Sequence, residues 1–184
     1  MPSTLIEFLD AGDPPIVFCP GSAMRHASDF FRVSLETSLA LGRRAVFLST
    51  YREQVPISLP SSVRHFDYAP FGQLLHRSAL LVHHGGIGSY AQAMQAGVPQ
   101  IIMPMAHDQF HNAALIKSLG LGDSIPRQQY LTSIVSQKLR EKLDSKQTQQ
   151  RCEEIANFFH DVDPISKLCH LIETTAKPTV KKTR

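Results

Sequence analysis

The chain has no run approaching the ~18 consecutive apolar residues that a membrane span needs, and its opening, "MPSTLIEFLD", lacks the basic and apolar regions of a signal peptide. The expectation is a cytoplasmic protein with no membrane span. Cysteine is scarce. Cys19, Cys152 and Cys169 are odd in number, widely spaced and without a CxxC pair, which speaks against a disulfide framework or a thiolate metal centre and for reduced, buried thiols. An excess of one charge is missing too. The 19 Lys and Arg against 16 Asp and Glu leave +3, with no basic stripe, so no nucleic-acid partner is expected. Three nucleotide and metal signatures are also absent: a GxGxxG after the first apolar segment, the GK[ST] of a P-loop, and HExxH.

What is present is the composition of an ordinary globular domain, 42% apolar and 19% charged over 184 residues, enough for one real core. Short, continuously apolar segments recur: "PIVFC" (15–19), "RAVFLST" (44–50), "VRHF" (63–66), "ALLVHH" (79–84) and "PQIIMP" (99–104). Continuous rather than alternating apolarity predicts strands covered on both faces, as in a parallel sheet. Between and after them lie helical segments. "SDFFRVSLETSLALG" (28–42) opens on Ser28 as a candidate cap and stops at Gly42. "GSYAQAMQAG" (88–97) and "DQFHNAALIKSLG" (108–120) both end in glycine. "LTSIVSQKLREKL", "RCEEIANFFHDV" and "DPISKLCHLIE" follow, the last with Pro164 in its first turn. The alternation predicts an α/β, Rossmann-like, doubly wound parallel sheet in three α/β/α layers, one domain over 1–175, with a disordered basic tail at 176–184.

One loop draws attention. "LVHHGGIGSYAQAMQAGVPQ" (81–100) places Gly85, Gly86 and Gly88 between a strand and a helix. Ligands of doubly wound sheets sit at such junctions. Glycines let the backbone approach a ligand, and the first amides of a helix lack partners and carry the positive end of its dipole. Together these suit a phosphate, with Ser89 adding a hydroxyl and His84 a ring N–H. On spacing alone a tight turn explains the glycines equally well.

The longer stretch "FDYAPFGQLLHRSALLVHHGGIGSYAQAMQAGVPQIIMPMAHDQFHNAALIKSLGLG" (66–122) resembles the donor-binding signature of family 1 glycosyltransferases, sugar-nucleotide enzymes of the GT-B fold. "DPPIVFCPGSAM" (13–24) is more loosely similar to the first strand and glycine-serine loop of their C-terminal half. The resemblance implies that His84 contacts the donor diphosphate, with Gly86, Gly88 and Ser89 against it and Gly21 and Ser22 near it. It implies that Asp108 and Gln109 hold the transferred sugar, although Asp108 at a helix N-terminus also has an ordinary capping role. Tyr68 stands where the family often has Trp, and can stack on a base. Phe71 replaces a Gln and can bond only through its backbone. Gln92 replaces a ribose-binding Glu. The implied donor is a UDP-sugar, used without metal or other cofactor, in an inverting transfer of a hexose to an acceptor hydroxyl.

The other histidines carry weaker readings. His83 ends a strand and reads as structural. His26 follows the glycine-serine loop and could approach the diphosphate or the acceptor. His107 and His111, spaced i, i+4, would share a helical face, but no third metal ligand accompanies them. Within the resemblance, residues 1–14 look like an inter-domain connection. The N-terminal acceptor-binding domain, and the catalytic base it normally carries, are therefore expected partners outside this chain, in cis or as a separate chain. A piece of a longer enzyme, one subunit of a split enzyme, and a non-catalytic sugar-nucleotide binder are the three readings, the first favoured. A GT-B-like sugar-nucleotide epimerase fits the motifs less well.

Overall fold

The computed structural model describes residues 1–160 and 163–175, so the expected basic tail lies outside the described residues. Six parallel strands form one sheet: β1 (Ile16–Cys19), β2 (Ala45–Leu48), β3 (Val63–Phe66), β4 (Leu80–His83), β5 (Gln100–Ile102) and β6 (Gly122–Ser124), in the order β3-β2-β1-β4-β5-β6. The helices are α1 (Ser3–Asp10), α2 (Ser28–Ala40), α3 (Phe71–Leu74), α4 (Ile87–Gln95), α5 (Gln109–Ser118), α6 (Thr132–Leu143), α7 (Lys146–His160) and α8 (Pro164–Thr175).

Four of these runs are strands buried on both faces, as their composition predicts; the fifth, β3 at the sheet edge, buries only Val63 and exposes Arg64, so the expectation fails there. Successive side chains point to opposite sides. Ile16, Phe18, Ala45, Phe47, Leu80, Val82 and Ile101 pack with Phe30, Phe31 and Val33 of α2 and Val135 and Leu139 of α6. Val17, Val46, Leu48 and Leu81 pack on the other side, against Leu5, Phe8 and Leu9 of α1 and Ala93 of α4. Ile102 continues that layer toward Ala113 and Ile116 of α5 and Cys152 of α7.

Four further details differ from the sequence expectation. Ser28 is the first helical residue rather than a side-chain cap; Ala27 holds the cap position, and its N–H donates to Gln54 Oε1 at 2.9 Å. The segment expected as a connection carries α1, whose apolar side is buried in the core. α7 begins at Lys146, in a stretch too polar to be read as packed. β6 was not anticipated, because Gly-Asp-Ser has no apolar pattern. It is read instead from its surroundings: a Cβ at Gly122 would lie 1.9 Å from the Gln100 carbonyl oxygen, and Asp123 is paired with Lys117 at 3.0 Å and Lys138 at 2.6 Å. Burial pushes the Asp123 carboxyl up, but the Lys138 hydrogen bond, the Ser124 amide and Lys117 together bring it down to about 2.

Phe47 is fully buried, with its ring 5.5 Å from that of Phe18 and 5.2 Å from that of Phe31. Phe47→Ala is expected to lower unfolding free energy in urea by about 3–5 kcal/mol. A loss under about 1 kcal/mol would mean that this aromatic cluster is not a tightly packed part of the core.

Candidate functional site

The strand order places the site. β1 and β4 are neighbours, yet the chain leaves β1 toward β2 and leaves β4 toward β5. The loops after the two strands therefore diverge, and a crevice opens at the carboxyl end of the sheet. A cavity of about 450 Å³ occupies it, lined by Cys19, Gly21, Ser22, Leu48, Ser49, Thr50, Asp67, Tyr68, Ala69, Phe71, His84, Gly86, Gly88, Ser89 and Gln92. This size suits a small-molecule ligand. A larger depression of about 750 Å³ lies between the end of α5 and the start of α7. It is away from the carboxyl ends of the strands, and its Lys117 and Arg151 are already paired with Asp123 and Glu154.

All the residues expected near diphosphate, ribose and base line this one cavity. Ser49 and Thr50 after β2, and Asp67 after β3, were missed. The signal that would have found them is position alone, since they follow the carboxyl ends of neighbouring strands.

The glycines act differently from one another. A Cβ at Gly21 would stand 2.9 Å from the His84 ring, and one at Gly86 would stand 2.5 Å from His84 Nε2. Gly21 also has φ +106°, a conformation that side chains disfavour. These two glycines make room for the imidazole. Gly88 faces open space, with nothing within 4 Å of a Cβ placed there. It sits in the first turn of α4, whose cap is Gly86 and which has no acidic residue in that turn. The first amides of α4, those of Ile87 and Gly88, therefore point outward without a helical partner at a positive helix end.

His84 is half-buried. Burial lowers its pKa, with Asp108 nearby pulling the other way. Its Nδ1 is buried and has no hydrogen-bond partner among the described residues. His83 is a different case. It is fully buried, its Nδ1 accepts from the Gly85 N–H at 3.1 Å, and its Nε2 is 3.0 Å from Gln100 Oε1. An Nδ1 that accepts from an amide leaves the proton on Nε2, which donates to Gln100. His83 thus braces the glycine loop from below, the structural role expected.

At the end of the cavity expected to meet a base, Tyr68 is 73% exposed, free to offer its ring face. Phe71 is partly buried and packs against the core beneath α3. Gln92 Nε2 donates to the Gly88 carbonyl at 3.0 Å, which turns its Oε1 outward as the remaining polar atom. Asp108 and Gln109 do not line the cavity. Asp108 holds the N-cap position of α5 but makes no side-chain cap hydrogen bond, contrary to the capping role expected, and Gln109 Oε1 accepts from the amides of Met105 and Ala106 at 2.8 and 3.2 Å. Only the amide nitrogen of Gln109 is left for a ligand.

His26 lines a separate cavity of about 210 Å³ with Asp29, Arg32 and Arg127. His107 has φ +56° and precedes α5, so it does not share a helical face with His111. Among the described residues no group of three or more His, Cys, Asp or Glu is arranged to hold a metal, and no helix is long and apolar enough to cross a membrane.

Residues 45–163 match the sequence family described as the erythromycin biosynthesis protein CIII-like, C-terminal domain. The chain belongs to this family. It is therefore a C-terminal domain of the family 1 glycosyltransferase type. It is 36% identical over 119 residues to glycosyltransferase GtfC of Amycolatopsis orientalis, a match covering 64% of this chain and 29% of that protein. It is 23% identical over 185 residues to UDP-glucosyltransferase avaP of Aspergillus versicolor, covering 96% of this chain and 41% of that one. The calicheamicin glycosyltransferase CalG4 superposes with a TM-score of 0.82 at 18% identity, over 92% of this chain and 44% of that chain. The fold is thus that of one half of a GT-B glycosyltransferase, and this chain spans less than half the length of these relatives.

Burial takes the His83 pKa down to about 3, well below the ordinary ~6.5 of an unfolded chain. Between those values the unfolded chain binds the extra proton, so stability is complete above about pH 6.5 and falls as the pH drops, by at most about 1.4 kcal/mol per pH unit from this residue. His84, shifted in the same direction, adds to that slope. Asp123 acts only at more acidic pH. Urea unfolding at pH 7 and pH 5 should show that loss in the parent chain and a smaller loss in His83→Gln, which cannot titrate. Equal losses in both chains would mean that His83 is not held neutral.

Proposed function

We propose that this chain binds a nucleotide-sugar donor, a UDP-sugar, as the donor half of an inverting glycosyltransferase that transfers a hexose to an acceptor hydroxyl. The observation that carries the reading is the cavity at the β1/β4 crossover, where the free amides of α4, the hydroxyls of Ser22 and Ser89 and the ring of His84 converge. That set suits a diphosphate. Tyr68 at the opposite end suits a planar base, and Gln92 Oε1 can accept from a ribose hydroxyl. Family membership and the printed activities of the relatives support the same reading.

In the transfer, the acceptor oxygen attacks the anomeric carbon from the face opposite the diphosphate. The bond from that carbon to the diphosphate oxygen breaks, and the acceptor proton passes to a base. This chain's part is at the leaving group. Pre-aimed amides and a neutral imidazole N–H stabilise charge as it collects on the departing diphosphate, the role a divalent cation plays elsewhere. The acceptor site and the base belong to the N-terminal domain, in cis or as a separate chain. A second reading, donor binding without turnover, differs only in whether such a domain is joined to this one.

Isothermal titration tests the reading. UDP and UDP-glucose should bind the chain, and transfer should require an added acceptor domain. Absence of UDP binding at millimolar concentration would end the donor-site reading. His84→Ala should weaken UDP binding by about 1–3 kcal/mol, and an unchanged affinity would remove His84 from the diphosphate. Gly88→Ala should leave the urea midpoint unchanged or raised, because alanine is the better helix residue. The same change should cost about tenfold or more in UDP affinity by blocking close approach. Unchanged UDP affinity would place the diphosphate elsewhere.

A further inference from the structure

Asn112 is nearly buried, 6% exposed, one turn into α5. Its Nδ2 lies 2.8 Å from the Gly85 carbonyl oxygen and 2.9 Å from Asp108 Oδ2. Both neighbours are acceptors, so the nitrogen rather than the oxygen of the amide must stand there, and each of its two hydrogens is used. Gly85 belongs to the loop that carries His84 and Gly86. Asp108 is exposed, with its Oδ1 free of any protein partner among the described residues. One buried amide thus ties the glycine loop to the carboxylate on the neighbouring loop.

We infer that Asn112 is a positioning residue for donor recognition: by donating to Gly85 O and Asp108 Oδ2 together, it holds the Asp108 carboxylate at a set distance from the glycine loop, with Oδ1 turned to a hydroxyl of the transferred sugar. The inference rests on the donor-site reading above. An exposed aspartate on a helix cap samples several rotamers. A charge-assisted bond from a buried donor restricts it to one, so the sugar meets a carboxylate that is already oriented.

A double-mutant cycle tests this, with UDP and UDP-glucose titrated into the parent chain, Asn112→Ala, Asp108→Ala and the double variant. Asn112→Ser, which keeps a single donor, repeats the cycle where Asn112→Ala fails to fold. The readout is the ratio of UDP-glucose to UDP affinity, which a general loosening of the domain would leave unchanged. The expected result is a fall of about tenfold in that ratio for Asn112→Ala, with no further fall when the change is made in the Asp108→Ala background. A similar fall in both backgrounds would overturn the inference, as would equal weakening of the two ligands. Equal affinity of the parent chain for both ligands would also overturn it, by removing Asp108 from the sugar while leaving the diphosphate seat in place. If the parent chain bound neither ligand, the donor-site reading itself would fall, and this inference with it.

Discussion

The backbone of Gly85 is held from both sides, and the rest of the site depends on that clamp. Its N–H donates to His83 Nδ1 and its carbonyl accepts from Asn112 Nδ2. His83 is anchored in turn by the side chain of Gln100 on the adjacent strand β5, opposite Leu81 in the register. Gly85 itself has φ +93°, and a Cβ there would meet the Ile102 side chain at 2.8 Å. With this residue fixed, the next one, Gly86, caps α4 and the preceding one is His84. The direction of the helix amides and the position of the imidazole therefore follow from one pair of hydrogen bonds made below the cavity floor.

The first loop is fixed in a comparable way from another strand. Gln54, nearly buried, accepts from the Ala27 amide and donates to the Met24 carbonyl at 3.1 Å. It thereby holds the segment between Gly21 and α2 against the turn after β2. Gly21 then approaches the His84 ring at Nδ1 and Cε1, while Gly86 approaches it at Nε2. A ring confined between two glycines has little freedom to rotate, so little rotamer entropy remains to be lost when it engages a ligand.

Four of the six strands, β1, β2, β4 and β5, were legible because burial on both faces leaves continuous apolar runs, as in "PIVFC" and "ALLV", whereas "VRHF" marks β3 although only Val63 is buried there. β6 was not, because this edge strand, paired only with β5, consists of a glycine, a salt-bridged aspartate and a serine. α1 was hidden for a different reason. Three buried residues, Leu5, Phe8 and Leu9, are too few to distinguish a packed helix from a connecting segment. The lining of the cavity was largely readable from the glycine loop and the motif resemblance. The division of labour among glycines was not, since it depends on where the His84 ring lies in three dimensions. Nor could the pattern "DQ" reveal that Gln109 spends its carbonyl oxygen on its own loop.

That last point bears on the loop proposed to meet the sugar. If Gln109 turns two backbone amides inward, its first effect is to shape the loop from Met105 to Asp108, with His107 at positive φ as the bend. The carboxylate of Asp108 is then delivered by the loop and steadied from beneath by Asn112. Asp108 is also the charge that counters part of the burial effect on His84, so the two groups are electrostatically coupled before any ligand arrives. A neutral His84 keeps one ring N–H to donate and adds no charge that would need a permanent counterion. The arrangement favours a ligand that is anionic beside His84 and rich in hydroxyl donors beside Asp108. A phosphate meeting Asp108 would be repelled, and a sugar hydroxyl meeting the α4 amides would leave their partial charge poorly matched. On the proposed reading, the same pair of loops sets both what binds and which way round it lies.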